Sequence, residues 1–180
     1  DMSAVGEVPS LLWDPVSHAL FDRLNIRRGW RILEIGPGQG SLHLELRRRA
    51  RSPVDAVERS PIFASRLKAI TRRDGFGHGQ LWQTDLIDAP LPRSTYDLIF
   101  ARWVFLFLPH PDAHIRTLAR ALKPGGLLAI HGSRDMSAVG EVPSLLWDPV
   151  SHALFDRLNI RRGWRILEIG PGQGSLHLEL

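Results

Sequence analysis

Glu34, Gly36, Gly38 and Gly40 stand in the run Ile32-Leu-Glu-Ile-Gly-Pro-Gly-Gln-Gly40, where residue type and spacing point most directly to chemistry. A strand that ends in glycines and passes into a helix turns backbone N–H groups and the positive helix end toward a bound cofactor. Glycine suits the turn because a side chain would hold the ligand away and because positive φ costs it little. The dinucleotide fingerprint G-x-G-x-x-G, counted from Gly36, requires glycine at position 41, where the chain has Ser41. The third glycine is Gly40 instead. Glu58 and Asp85 follow at the ends of later predicted strands, and a carboxylate there can accept two hydrogen bonds at once. Arg102, Trp103 and His131 fall where two further strands end. Histidine can take a proton near neutral pH, although a loop position just after a strand is the plainer reading of His131. Trp103, Phe105 and Phe107 read as apolar packing, and Arg102 as a partner for Asp97 or Asp85.

Alternating elements must position these residues. Asp14-Pro15 signals a helix start, with Val16, Ala19, Leu20 and Leu24 on one face and Gly29 after it. Arg31–Ile35 reads as a strand, Ser41–Arg49 as a helix, Val54–Glu58 as a strand, and Ser60-Pro61 as the start of a helix running to about Arg73. Gln80–Thr84 and Tyr96–Ala101 are the third and fourth strands. A helix from Pro111 ends at Lys123-Pro-Gly-Gly126, and Leu127–Ile130 is the fifth strand. Strands separated by helical stretches predict right-handed β-α-β units: an α/β fold, three layers with a mainly parallel Rossmann-like sheet and helices on both faces.

Residues Asp1–Leu46 return, letter for letter, as Asp135–Leu180. So long an identity marks a very recent duplication or an engineered sequence, and the period is too long for a solenoid. Residues 1–134 therefore read as the core, and 135–180 as a duplicate whose Pro149 helix and Arg165–Ile169 strand supply a sixth strand at the sheet edge, the whole forming one structural domain. The first glycine loop sits next to strand two in the chain and closes with little entropy lost. It is expected to hold the ligand, with Glu168, Gly170, Gly172 and Gly174 as a structural substitute. An exposed edge strand, or exchange of a segment between chains, makes a homodimer an expectation.

Composition narrows the classes. The net charge of +4 is carried almost wholly by arginine, and spread over 180 residues it argues against nucleic acid as a partner. The cluster Arg47, Arg48, Arg49 and Arg51 reads as a solvated helix end. No apolar run spans a bilayer and no signal-peptide pattern stands at the start. Cysteine is absent, which removes disulfides and thiolate metal sites. A cytoplasmic location is the expectation. No metal is expected, because Pro109 and Pro111 put His110 outside the helix that carries His114 and no third ligand is evident. No nucleophile-elbow sequence is present.

The segment Glu-Ile-Gly-Pro-Gly-Gln-Gly40 resembles motif I of the class I S-adenosylmethionine-dependent methyltransferases. Glu58 resembles the acidic residue that binds both ribose hydroxyls, and Asp85 the residue beside the adenine amino group. Tyr96–Trp103 resembles the fourth-strand motif, and Leu122-Lys-Pro-Gly-Gly-Leu-Leu128 the signature before strand five. The resemblance runs from about Trp13 to His131, with its motifs in register with the predicted strands. It implies S-adenosylmethionine or S-adenosylhomocysteine bound by Glu34, Gly36, Gly38, Gly40, Glu58, Asp85 and Arg102, and a small-molecule methyl acceptor. Arg102 and His131 are the catalytic candidates. The family continues past strand five with further helices and an antiparallel strand pair where this chain has the duplicate, so impaired turnover is expected. A cofactor-binding module without turnover and an RNA methyltransferase are the alternatives.

Overall fold

A computed structural model describes residues 14–15, 17–72, 74–131 and 165–169. Val16, Arg73, the Pro149 helix, the boundary at residue 134 and the glycines at 170, 172 and 174 lie outside the described residues.

The chain runs through helix α1 (residues 17–24, with 14 and 15 also helical), β1 (Ile32–Ile35), α2 (Ser41–Ala50), β2 (Val54–Val57), α3 (Pro61–Thr71), β3 (Leu81–Trp82), β4 (Tyr96–Arg102), α4 (Pro111–Ala121) and β5 (Leu122–His131). Single 3₁₀ turns, Leu86–Asp88 and Phe105–Phe107, follow β3 and β4. The strands pair in parallel in the order β3-β2-β1-β4-β5. Arg165–Ile169 lies as a further strand, β6, parallel to β5.

Every residue of β1 and β2 is buried, as a parallel sheet covered on both faces requires. Successive side chains point to opposite faces and feed two cores. Ile32 of β1 joins Leu98 and Phe100 of β4 beneath Leu20 and Phe21 of α1 and Leu42 and Leu46 of α2. Leu33 and Ile35 join Ile99 and Ala101 beneath Ile115 and Leu118 of α4. Each fully buried Leu, Ile or Phe contributes roughly 1.5–3 kcal/mol relative to exposure, so the two cores hold the strand ends where the loops need them. The Phe21 and Phe100 rings meet edge-on with centroids 4.9 Å apart.

Local chemistry sets the element ends. Ser60 accepts a hydrogen bond from Phe63 N–H at 3.4 Å, and Pro61 opens α3 where its missing N–H is no loss. Strand β3 is shorter than the expected Gln80–Thr84. The fifth strand is longer than expected: it begins at Leu122, pairs with Tyr96, and resumes pairing only at Leu127 opposite Leu98. Lys123-Pro-Gly-Gly126 is thus a bulge rather than a gap between helix and strand, and Lys123 Nζ donates to both oxygens of Asp97 at 2.8 Å. Asp97 also accepts from Arg31 N–H at 2.8 Å, tying the bulge to the entrance of β1.

The Arg47–Arg51 cluster is a solvated helix end only in part: Arg48 and Arg51 are exposed, whereas Arg47 and Arg49 are drawn in. Arg47 is fully buried and forks onto Asp74, Arg48 and Arg49 both reach Glu45, and Arg49 also reaches Asp22 at 2.5 Å. The hydrogen bond from Arg48, helped by Arg49, holds the Glu45 carboxyl down at about 2.

Candidate functional site

The order in which strands are added reverses at β1: one connection leads to β2, and β4 flanks β1 on the other side. Open α/β sheets bind ligands outside the carboxyl ends of the strands at that reversal. The loop that fills the position here is Gly36–Gly40, and Gly36, Gly38 and Gly40 all have positive φ (64°, 53° and 87°). Gly36 N–H donates to Val57 O at 2.8 Å, which holds the loop on β2.

The three glycines face different surroundings. A Cβ at Gly36 would lie 2.6 Å from Val104 Cγ2, and one at Gly40 would lie 2.4 Å from Ile70 Cδ1 of α3, whereas one at Gly38 would meet nothing within 4 Å. Gly36 and Gly40 are required by packing. Gly38 borders open space. Gly40 also caps α2 without a side-chain acceptor, so the first N–H groups of that helix have no side-chain cap.

Beside Gly38 lies Glu58, just past β2 and 7% exposed. Gly38 N–H donates to its Oε2 at 3.1 Å and Ser60 N–H to its Oε1 at 2.8 Å. One bond to each oxygen fixes the carboxylate and leaves each oxygen able to accept again. Polyhydroxylated ligands fit such an acceptor pair.

Glu34 is buried, its Oε2 2.9 Å from Nδ1 of His43 in α2. Asp85 is exposed after β3, with Arg59 as a distant partner at 3.4 Å. At the ends of β4 and β5, Arg102 pairs with neither Asp97 nor Asp85. Its Nη1 donates to Asp14 Oδ1 at 2.6 Å and to Ser17 Oγ at 3.3 Å, both on the N-terminal helix. The Arg102 guanidinium also sits 5.0 Å from the Trp103 ring centroid. His131 belongs to β5 rather than to a loop, is 2% exposed, and has Nδ1 3.0 Å from Ser17 Oγ. Burial, with the Arg102 charge nearby, lowers its pKa to about 4. The imidazole is neutral at neutral pH.

The structure therefore brings Gly36, Gly38 and Glu58 together at one mouth, and Arg102 with His131 beside it. It buries Glu34 against His43 and leaves Asp85 on the rim. Sequence reasoning missed Asp14 and Ser17 as the partners of Arg102 and His131; contacts across 85 to 114 residues leave no local signal. The exposed large apolar residues, Ile62, Ile87 and Phe107, follow β2, β3 and β4, so they stand on this same end of the sheet. Phe107 thus does not continue the packing expected of it, while Phe105 does. Among the described residues no group of His, Asp and Glu could hold a metal ion, and no helix is long and apolar enough to cross a membrane.

Comparisons with known proteins converge on one family. A model described as "Methyltransferase domain" matches residues 33–130. The ubiquinone/menaquinone biosynthesis C-methyltransferase UbiE of Pseudomonas putida is 32% identical over 122 residues, 63% of this chain and 47% of that protein. Methyltransferase GfsG of Streptomyces halstedii is 30% identical over 129 residues, 65% of this chain and 45% of that protein. The chain thus spans about half the length of these curated relatives. A crystal structure of a SAM-dependent methyltransferase from Aquifex aeolicus superposes with a TM-score of 0.71 over 89% of each chain at 22% identity, a likeness of fold.

Proposed function

The chain belongs to the methyltransferase-domain family, and from that premise we propose that it binds S-adenosylmethionine at the Gly36–Gly40 loop and directs methyl transfer to a small apolar acceptor. The observation that carries the reading is the Glu58 carboxylate, pinned by two backbone N–H groups beside the one glycine of the loop that borders open space. When bound, S-adenosylmethionine supplies an electrophilic methyl group on a sulfonium.

The chain's own residues bind, orient and exclude water. Glu58 accepts the ribose hydroxyls, Gly38 lets the backbone approach the ligand, and Asp85 on the rim is free to accept from the adenine amino group. Gly36 and Gly40 act through packing, and Glu34 acts through His43 by fixing α2 against β1. Arg102 and His131 are read as positioning residues: they clasp Asp14 and Ser17 and so hold the N-terminal helix across the ends of β4 and β5. A deeply buried, neutral imidazole is poorly placed to take a proton from an acceptor. Catalysis then comes from orientation and desolvation. The exposed Ile62, Ile87 and Phe107 at the mouth favour an apolar acceptor. The RNA reading is the weaker one, because Arg47 is buried against Asp74 and Arg49 is held by Glu45 and Asp22, which leaves Arg48 and Arg51 as the exposed cations of the cluster.

We read β6 as the stand-in for the next parallel strand of the sheet, and the second glycine loop as a turn without a ligand. Calorimetric titration with S-adenosylhomocysteine tests the assignment. Saturable binding is expected, with Glu58→Ala weakening it roughly tenfold or more, since each hydrogen bond to a charged group contributes about 1.5–3 kcal/mol. Replacing both Gly170 and Gly172 by valine is expected to change nothing. Absence of binding by the full chain, or equal loss from variants of either loop, overturns the reading. Transfer of a labelled methyl group to a small apolar acceptor tests turnover separately, and binding without transfer would identify a cofactor-holding module.

A further inference from the structure

A cavity of about 320 Å³ lies between α2 and α3, against β2 and the segment that enters β3. Arg47, Lys68 and Arg72 line it together with His43 and His78, and no acidic side chain lines it among the described residues. Its remaining walls include Ala56, Leu67 and Leu81.

Arg47 gives the cavity its direction. A guanidinium carries five N–H donors. Arg47 Nε and Nη2 donate to the two oxygens of Asp74, and Nη2 also donates to Gly77 O at 2.7 Å. Nη1, on the edge of the planar group that faces away from Asp74, is buried and has no partner among the described residues. A buried cationic donor left unpaired costs more than the typical hydrogen bond contributes. Asp74 is already committed: the Arg47 hydrogen bond lowers its pKa, and Phe76 N–H binds the same carboxylate at 3.1 Å. A further acceptor must therefore come from outside the described residues.

We propose that this cavity binds a small organic acid, its oxyanion head between Lys68 and Arg72 over the buried charge of Arg47 and its compact apolar body against Ala56, Leu67 and Leu81. The cavity's lining includes none of Gly36, Gly38 and Glu58, although Leu67 also packs beside Gly40. A volume near 320 Å³ admits a ring-sized body as well as the head, and the cationic rim draws in anions in a manner that salt weakens.

Calorimetry and thermal melting of the full chain with phenyl phosphate, benzoate, inorganic phosphate and uncharged phenol test the proposal. Phenyl phosphate and benzoate are expected to bind saturably and to raise the melting temperature, with the stronger of the two identifying the head group. Inorganic phosphate is expected to bind more weakly and phenol not at all. Because Arg47 variants risk unfolding, the decisive variant is Lys68→Glu with Arg72→Glu on the exposed rim. It should keep its melting temperature without ligand, bind S-adenosylhomocysteine as before, and lose roughly tenfold or more of its affinity for the organic acid. No binding by either organic acid, undiminished binding in the charge-reversed variant, or displacement by S-adenosylhomocysteine overturns the proposal.

Discussion

A Cβ at Gly38 would meet nothing, whereas one at Gly40 would strike Ile70, and the same amino acid is thus needed at the two positions for unrelated reasons. Gly38→Val is expected to fold with a modest loss from its φ of 53°, roughly 1–2 kcal/mol, and to bind S-adenosylhomocysteine at least about tenfold more weakly, because the side chain occupies the ligand's space. Gly40→Val is expected to lose roughly 2 kcal/mol or more of stability through overpacking and strain, as read by thermal or urea unfolding. His131 gives a pH prediction of definite sign. Its folded pKa, about 4, lies below the ordinary histidine value of 6.5, so the unfolded chain takes up the proton first as pH falls. Stability present above pH 6.5 is lost between 6.5 and 4, and the loss levels off below that. It amounts to about 3 kcal/mol at most. Urea unfolding across that window should show His131→Gln losing less than the parent. The glycine spacing was legible from residue type alone, and Glu58 was singled out by the family resemblance. The neutral, buried state of His131 was not, because it depends on Ser17 and Arg102 arriving from distant parts of the chain.

The elements follow their local signals where helix caps and apolar runs are strong, as at Ser60-Pro61 and in β1, β2 and β4. They depart from them where tertiary contacts decide. Lys123-Pro-Gly-Gly126 carries ordinary helix-stop residues, yet β5 has already begun at Leu122, because Asp97 gathers Lys123 and the Arg31 amide onto one carboxylate. Arg47 likewise looks like any other arginine near a helix end until Asp74 and Gly77 O close over it. Gly79, just before β3, illustrates a third kind of constraint: a Cβ there would lie 1.9 Å from Val54 O. Gly79→Ala is therefore expected to push β3 off β2 and cost roughly 2 kcal/mol or more, with a lowered melting temperature as the check. Strand β3 holds only two residues and pairs with β2 at two positions, so little else keeps it in place.

At the scale of the molecule, the order β3-β2-β1-β4-β5 follows from the alternation of strands and helices, and the ligand end of the sheet follows from that order. What identical letters could not supply is the neighbours each copy of the repeated segment meets, since they carry identical propensities. The same five residues, Arg-Ile-Leu-Glu-Ile, begin one residue before β1 and make up the whole of β6. In β1 they sit between two neighbours, whereas among the described residues β6 has only β5 beside it. Digestion after deuterium labelling will release both copies as peptides of one mass, which no spectrometer can tell apart. Their isotope envelope should accordingly split in two, a slow component from the twice-bonded central copy and a fast one from the outer copy. One peak pair thereby measures how far neighbours, rather than composition, govern amide protection.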